Sequence, residues 1–175
     1  MEIRTERLLL RPARSSDVDG MHAIFSDPEA MAHWSTAPHE DRGQTEAWIN
    51  LMLDAQAAGP TLDFIIERDG EAIGKVGFWR PPELGYILRR DHWGQGLASE
   101  ALAAVIRAAF TGGGLEEIHA EVDPNNLASV RLLEKHGFER TGFAPRTLEI
   151  NGVWFDSLYF VLKRDRDPAL KSAGV

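Results

Sequence analysis

The amino-acid sequence contains no cysteine at all. Disulfide bonds and catalysis by a thiolate are therefore excluded. The sequence also has no uninterrupted apolar run near the roughly 18 residues that a membrane-spanning helix needs. Because the first residues, Met1-Glu2-Ile3-Arg4, lack the apolar segment of a secretory signal, we expect a cytoplasmic protein that has no membrane partner.

Positive charge is also scarce. The chain has 19 Lys and Arg residues against 27 Asp and Glu, which gives a net charge of −8 and a pI of about 5.2. Nucleic-acid binding needs clustered Lys and Arg, so no nucleic-acid partner is expected. An acidic surface attracts cationic molecules such as amines, but moderate negative charge also simply keeps a protein soluble. The net charge alone does not separate these two explanations.

The chain is long and apolar enough for one ordinary globular domain, with 43% hydrophobic residues among 175. Apolar periodicity and turn signals such as Asn151-Gly152 predict the order β-α-α-β-β-β-α-β-α-β-β. The predicted strands are 6–11, 63–67, 73–79, 83–88, 117–123, 140–150 and 154–163. The predicted helices are 16–27, 42–58, one that begins within 93–98 and continues to 110, and 127–136. We therefore predict a single α/β (α+β) domain over residues 1–175, with a largely antiparallel sheet, about four helices and a frayed tail at 164–175.

The most informative segment is Trp93-Gly94-Gln95-Gly96-Leu97-Ala98, which lies between a predicted strand and a predicted helix. A glycine-rich turn at this place presents free backbone N–H groups and the positive end of the helix dipole, which together favour a bound phosphate. The segment is not a dinucleotide fingerprint, since only Gly94 and Gly96 are glycines, and no P-loop Gly-Lys-Ser/Thr follows. A tight helix start without any ligand is the alternative explanation.

Three local motifs resemble the Gcn5-related N-acetyltransferases (GNAT), and in particular the branch that acetylates the N-termini of ribosomal proteins. They are Thr5-Glu6-Arg7-Leu8-Leu9-Leu10-Arg11-Pro12, then Trp93 through Ala101, and then Asn126 through Ser129 with Leu133-Glu134-Lys135-His136-Gly137-Phe138. The resemblance covers roughly residues 3 to 163, and the order and spacing of the motifs are more specific than any one of them. It implies an N-acetyltransferase that uses acetyl-CoA.

The resemblance also implies where the cofactor binds. The strand 83–88 would splay away from the strand 117–123, and the pantetheine arm would lie in the gap along the backbone of Ile87, Leu88 and Arg89. The pyrophosphate would lie on the loop and the first helical turn, and two residues of the later helix would contact the cofactor. The cofactor-binding residues implied for these two regions are Trp93, Gly94, Gln95, Gly96, Leu97, Ala98, Ser99, Asn126 and Ser129.

Direct transfer of the acetyl group requires that the amine lose a proton, because alkyl ammonium groups titrate near about 10 and α-amines near about 8. Glu83 is the candidate general base, since it begins the strand beside the implied thioester site. The alternatives are a solvated glutamate at a strand end, or Glu100 in the first turn of the following helix as the base.

Ser129 is the candidate group for contacting or protonating the leaving sulfur, and backbone N–H groups near Leu88 would polarise the carbonyl. Asn126 also fits a helix N-cap with no other role. Many GNAT relatives carry a tyrosine general acid where this chain has Leu133, which cannot donate a proton. Tyr159 is a possible substitute, although its apolar strand favours a place in the core.

The acceptor would bind on the other side of the splayed strands, where His33, Trp34, Trp79 and Trp154 are candidate lining residues, each of which also suits an ordinary core. The acceptor would be a small-molecule amine or a protein N-terminus. None of the six histidines shows metal-ligand spacing, so no metal is expected. A non-catalytic acyl-CoA-binding module is the alternative function, and a homodimer is possible.

Overall fold

A computed structural model describes residues 1–166, and its central feature is one eight-stranded sheet in the order β1-β2-β3-β4-β5-β6-β8-β7. The strands are β1 Ile3–Arg4, β2 Leu9–Arg11, β3 Asp63–Arg68, β4 Glu71–Arg80, β5 Glu83–Leu88, β6 Glu117–Val122, β7 Glu139–Ile150 and β8 Val153–Lys163. The helices are α1 Val18–Phe25, α2 Arg42–Ala58, α3 Leu97–Thr111 and α4 Leu127–Lys135. The predicted mixed fold, with its largely antiparallel sheet and its helices, is confirmed.

Most predicted elements differ from the structure by one to three residues at their ends, and the largest differences lie in the first two. The strand predicted over 6–11 is shorter, at Leu9–Arg11, and the short strand Ile3–Arg4 before it was not predicted. The chain turns between these two strands, where the amide of Thr5 donates to the Leu8 carbonyl at 3.0 Å. The first predicted helix begins with a 3₁₀ turn at Ser15–Asp17 before α1. In the predicted tail, Arg164–Arg166 form another 3₁₀ turn, and residues 167–175 lie outside the described part of the chain.

The sheet opens between β5 and β6. These strands are parallel and pair at one position, Glu83 with His119, whereas the other neighbouring strands are antiparallel. The amide of His119 donates to the carbonyl of Pro82 at 2.9 Å, just before β5 begins. The strands therefore start side by side and then separate toward Leu88 and Val122, as the family resemblance predicted.

Each face of the sheet carries its own core. The α3 core joins one face to α3 and α4 and is built on buried residues such as Leu102, Val105 and Leu133. The α1/α2 core covers the other face with Met21, Ile49 and their neighbours. The gap between β5 and β6 therefore opens between two layers of helices. No helix within residues 1–166 combines the length and the apolar character needed to cross a membrane.

A buried ion pair fixes the start of the chain to the sheet. The Arg11 guanidinium donates to both carboxylate oxygens of Asp17, at 2.6 and 2.8 Å, and its Nε donates to Glu67. Asp17 also accepts from the amide of Arg14 at 2.7 Å. The side chains of Arg11 and Asp17 are only 3% and 4% exposed, so each charge depends on the other.

We expect Asp17→Asn to lower the free energy of unfolding by about 3 kcal/mol or more, because it leaves the Arg11 charge buried and incompletely paired. The matched control is Asp19→Asn, whose carboxylate also accepts from an arginine but is 80% exposed. That change should cost less than about 1 kcal/mol. Urea denaturation of the three proteins measures both values, and equal losses would contradict the ranking by burial.

Candidate active site

Along β5, every second residue directs its backbone N–H and C=O groups away from β4 and into the gap. The amide of Arg89 donates to the Ile73 carbonyl of β4 at 2.8 Å, and the carbonyl of Arg89 accepts from His92 at 3.0 Å. By strand alternation, Ile87 also directs its backbone groups to β4, whereas those of Tyr86 and Leu88 face the gap. Of the three predicted pantetheine contacts, Leu88 is therefore the one whose backbone faces β6.

The loop that follows β5 ends in the predicted anion site. Gly94 and Gly96 have φ values of +71° and +76°, which favour glycine, and Gly96 is the N-cap of α3. The first helical hydrogen bond runs from Glu100 to the Gly96 carbonyl. The amides of the first turn, at 97–99, consequently have no carbonyl partner inside the helix and are available to an anion.

Side chains from distant segments hold this loop in place. The Gln95 side chain donates to the Asp91 carbonyl at 3.0 Å and accepts from Arg68 at 2.9 Å. The Gln95 carbonyl accepts from Arg7 at 2.8 Å, and Trp93 Nε1 donates to the Leu88 carbonyl at 2.8 Å. The side chains of Trp93 and Gln95 therefore support the loop, which leaves anion binding, as predicted, to its backbone N–H groups.

Glu100 is an anchor for the N-terminal turn. Its carboxylate accepts from the Thr5 hydroxyl at 2.6 Å and from the amide and Nε of Arg7 at 2.8 and 2.7 Å. Partial burial disfavours the ionised form, yet these hydrogen bonds hold the pKa of Glu100 below its ordinary value. Because both oxygens accept hydrogen bonds from the N-terminal turn, this geometry favours an anchoring role for Glu100 over the alternative role of general base.

The start of α4 forms the other wall of the gap. The side-chain oxygen of Asn126 accepts from the amide of Ser129 at 3.1 Å, so Asn126 is the N-cap that its residue type favours. The hydroxyl of Ser99 in α3 lies 2.9 Å from Nε2 of His136 and ties the two helices together. Ser129 stands one turn into α4, half-buried and facing β5.

The sequence analysis missed Tyr86. Its side chain packs against the α3 core, and its phenol oxygen is buried next to the Ser129 hydroxyl. Burial raises the pKa of Tyr86 to about 12, and the nearby Ser129 hydroxyl offsets part of the increase. Strand alternation between Leu84 and Leu88 was the available signal, because it places Tyr86 on the same face.

The opposite side of the gap is lined by carboxylates. Alternation directs Glu83 of β5 and Glu121 of β6 to the α1/α2 face, because their neighbours Leu84 and Ala120 lie in the α3 core. Glu121 accepts a short hydrogen bond from Ser157. Nearby, Nδ1 of His33 lies 2.8 Å from the carboxylate of Asp123, which is mostly buried.

The remaining predicted acceptor residues are spread apart. Trp34 packs against the Phe25 ring in the α1/α2 core. Trp79 is 60% exposed at the end of β4. Trp154 is also exposed, on the β7–β8 hairpin, where the Arg146 guanidinium lies 4.9 Å from its ring centroid. Among these four, His33 is the one for which the structure gives a polar contact to a residue at the gap, Asp123.

Two further side chains lie beneath the acceptor side. Nζ of Lys75 pairs with Asp63 at 2.8 Å and is nearly fully buried beside Gly85 of β5. Burial raises the pKa of Asp63 despite the nearby ammonium group. Tyr159 is half-buried on the same face, in register with Glu121, rather than in either core. Within residues 1–166, no group of three or more His, Asp or Glu side chains is arranged to hold a metal ion.

Comparison with known proteins identifies the family. The family model described as the acetyltransferase (GNAT) domain matches residues 7–139, which include β2, the glycine loop and α4. The chain belongs to the GNAT acetyltransferase family. It is therefore an N-acetyltransferase with acetyl-CoA as its acetyl donor, and this replaces the alternative of a non-catalytic acyl-CoA-binding module.

Similar proteins extend over almost the whole chain. The uncharacterized N-acetyltransferase p20 of Bacillus licheniformis is 34% identical over 170 residues, which is 92% of this chain and 96% of the relative. The L-methionine sulfoximine/L-methionine sulfone acetyltransferase of Pseudomonas aeruginosa is 30% identical, with 89% and 94% covered. A solved structure of RimL, a ribosomal L7/L12 α-N-protein acetyltransferase in complex with coenzyme A, has a TM-score of 0.81 over 95% of this chain and 100% of that one. Its sequence is 20% identical, so this similarity shows the fold.

We expect Gly96→Val to weaken acetyl-CoA binding about 10- to 100-fold, the equivalent of one or two charge-assisted hydrogen bonds. The nearest atom to an added Cβ is Nη2 of Arg7 at 3.6 Å, so the fold has room, but a branched side chain at φ +76° distorts the loop amides. Isothermal titration calorimetry measures the affinity.

Gly114→Val is the matched control. Gly114 also has a left-handed φ of +66°, with no described atom within 4 Å of an added Cβ, but it lies beyond the other end of α3. The Gly114→Val variant should lose about as much stability as Gly96→Val does, but it should keep the wild-type affinity for acetyl-CoA. Equal affinities in the two variants would contradict the assignment of the loop.

Proposed function

We propose that this enzyme transfers the acetyl group directly from acetyl-CoA to a primary amine that enters from the α1/α2 face of the sheet. The observation that carries the proposal is the single pairing position between β5 and β6, at Glu83 and His119. Beyond that position no backbone pairing of the described residues joins β5 to β6. A thioester reaching the gap from the α3 side and an amine from the other side can therefore meet within it.

The reacting groups can be assigned to residues on the two walls. The backbone N–H of Leu88 would polarise the thioester carbonyl, and the loop and first turn of α3 would bind the pyrophosphate. The amine nitrogen forms the new bond to the carbonyl carbon as the carbon–sulfur bond breaks. Its proton passes to Glu83, directly or through one water molecule, and Ser129 receives the leaving sulfur.

The acceptor is proposed to be a primary amine that carries a further positive charge. Glu83, Glu121 and Asp123 line the acceptor side of the gap, and the whole chain has a net charge of −8. This field favours a polyamine or a basic N-terminal peptide over an amine that carries its own carboxylate. The similar enzymes named above act on a ribosomal protein and on amino-acid analogues, so both kinds of acceptor are to be compared.

The test is a panel of amines assayed for acetyl-CoA-dependent release of free thiol. We expect kcat/KM for a diamine or a basic N-terminal peptide to exceed that for a neutral amino acid by about tenfold or more, and the advantage to shrink at high salt. Mass spectrometry of the products locates the acetyl group. Binding of acetyl-CoA without acetylation of any amine would overturn the proposal, and a preference for amino acids would overturn the acceptor class.

Glu83→Gln should reduce kcat/KM about 100-fold near pH 7, where an amine must lose a proton before it attacks. The defect should shrink as the pH rises toward about 9, because a larger fraction of the amine is already neutral. The control is Glu117→Gln, which removes a carboxylate on the same face of the neighbouring strand, two residues before His119 and away from the open end. A pH–rate profile for Glu83→Gln that matches the wild type would exclude Glu83 as the base.

A further inference from the structure

The phenol of Tyr86 is an unusual group to bury. Its oxygen makes no hydrogen bond of normal length and angle to any residue that the structure describes, and it is shielded from solvent. A buried hydroxyl without a partner costs free energy, because its bonds to water are not replaced. Phenylalanine would fill the same site without that cost. The hydroxyl is therefore available to a group that enters the gap.

The position of the phenol indicates that use. Tyr86 belongs to β5, whereas Ser129 belongs to α4, which follows β6, so the two hydroxyls approach each other from opposite walls of the gap. The backbone of Tyr86 also faces the gap, next to that of Leu88. On the α4 side, Leu133 is aliphatic and fully buried, so it brings no donor to this place.

We propose that the hydroxyls of Tyr86 and Ser129 form a pair of donors that receives the sulfur of acetyl-CoA and stabilises the coenzyme A thiolate as it leaves. The inference rests on the proposed function and adds to it a catalytic residue, Tyr86, that touches the leaving group. An incoming sulfur supplies the acceptor that no described residue gives this phenol.

The chemistry balances without a proton from the tyrosine. When the amine attacks, the pair of electrons of the carbon–sulfur bond goes to sulfur, and the amine proton goes to the base. A pKa of about 12 keeps Tyr86 protonated, so it can only donate. A thiol with a pKa of about 8.5 is a stronger acid than this phenol, so the proton stays on the tyrosine. The phenol then stabilises the thiolate by donating a hydrogen bond to it. Solvent protonates the sulfur after release.

The decisive measurement compares coenzyme A with desulfo-coenzyme A in calorimetric titrations at about pH 6.5 and pH 9.5, on either side of the thiol pKa. Stabilisation of the thiolate lowers the pKa of the bound thiol. If binding lowers the pKa of the thiol by one unit, the ratio of the wild-type affinities for coenzyme A and for desulfo-coenzyme A should increase about tenfold between the two pH values. Tyr86→Phe should show little growth, with its affinity for the desulfo analogue unchanged.

Kinetics and stability supply a second readout. Tyr86→Phe should lower kcat about 10- to 100-fold with little change in KM for acetyl-CoA. Its melting temperature should equal or exceed that of the wild type, since the variant loses an unpaired buried hydroxyl. A merely structural tyrosine would lose stability and activity together. In the double variant Tyr86→Phe/Ser129→Ala, kcat should fall by less than the product of the two single-variant reductions, because both hydroxyls donate to the same sulfur.

The possible failures are distinguishable. Wild-type protein that binds neither form of coenzyme A would defeat the proposed function itself. Normal binding with the same pH-dependent preference in the wild type and in Tyr86→Phe would overturn the role of Tyr86 and leave the proposed function intact. A loss of kcat in Tyr159→Phe with none in Tyr86→Phe would likewise overturn it.

Discussion

The separation of β5 from β6 is the constraint on which the rest of this molecule depends. A strand inside a sheet normally has backbone partners on both sides, and unpaired N–H and C=O groups are costly where water is excluded. Here β5 pairs fully with β4 but touches β6 only at Glu83. The backbone groups of Tyr86 and the N–H of Leu88 thus face the gap, whereas the Leu88 carbonyl already accepts from Trp93 Nε1. The pantetheine arm, which has two amide groups, is suited to pair there as a substitute strand.

An open sheet of this kind needs support on both walls, and each wall has its own. On the β5 side, the amide of Arg89 is bonded back to β4 and Trp93 closes the end of the strand through the Leu88 carbonyl. On the other side, β6 is paired along its length with β8. The helices that flank the gap are joined by Ser99 and His136. The gap is consequently a fixed feature between rigid elements, which is the condition for placing two reactants accurately.

Local patterns predicted the elements of this fold well, because each pattern depends on neighbours in sequence. The alternation in 117–122, the helical stripe that contains Leu102 and Val105, and the Asn151-Gly152 hairpin are all of this kind. The glycine loop was predicted for the same reason, since a helix start and its glycines lie within six positions. The acceptor residues were predicted less well, because the sequence around a tryptophan does not show whether its side chain is buried or exposed.

Contacts between distant segments could not be predicted from the chain alone. Thr5 and Glu100 are 95 positions apart, and nothing in either local pattern indicates that one binds the other. The same holds for Tyr86 and Ser129, which meet only because β5 and α4 form opposite walls. The N-terminal motif carried the family resemblance before its role was visible. The structure supplies the reason, because Arg7 within it bonds both Glu100 and the Gln95 carbonyl of the loop.

The two faces of the gap differ in electrostatic character, and this difference has a consequence for the reaction. On the α3 side, the helix N-terminus, Arg7 and Arg68 surround the loop and favour an anionic cofactor. On the opposite side, Glu83, Glu121 and Asp123 would favour the cationic amine that is proposed as the acceptor. Under that proposal, each substrate is attracted to its own side of the gap and disfavoured at the other. The amine loses its positive charge as the amide forms, so the product is held less strongly by the carboxylates than the substrate was, and it can leave by the side from which the amine entered.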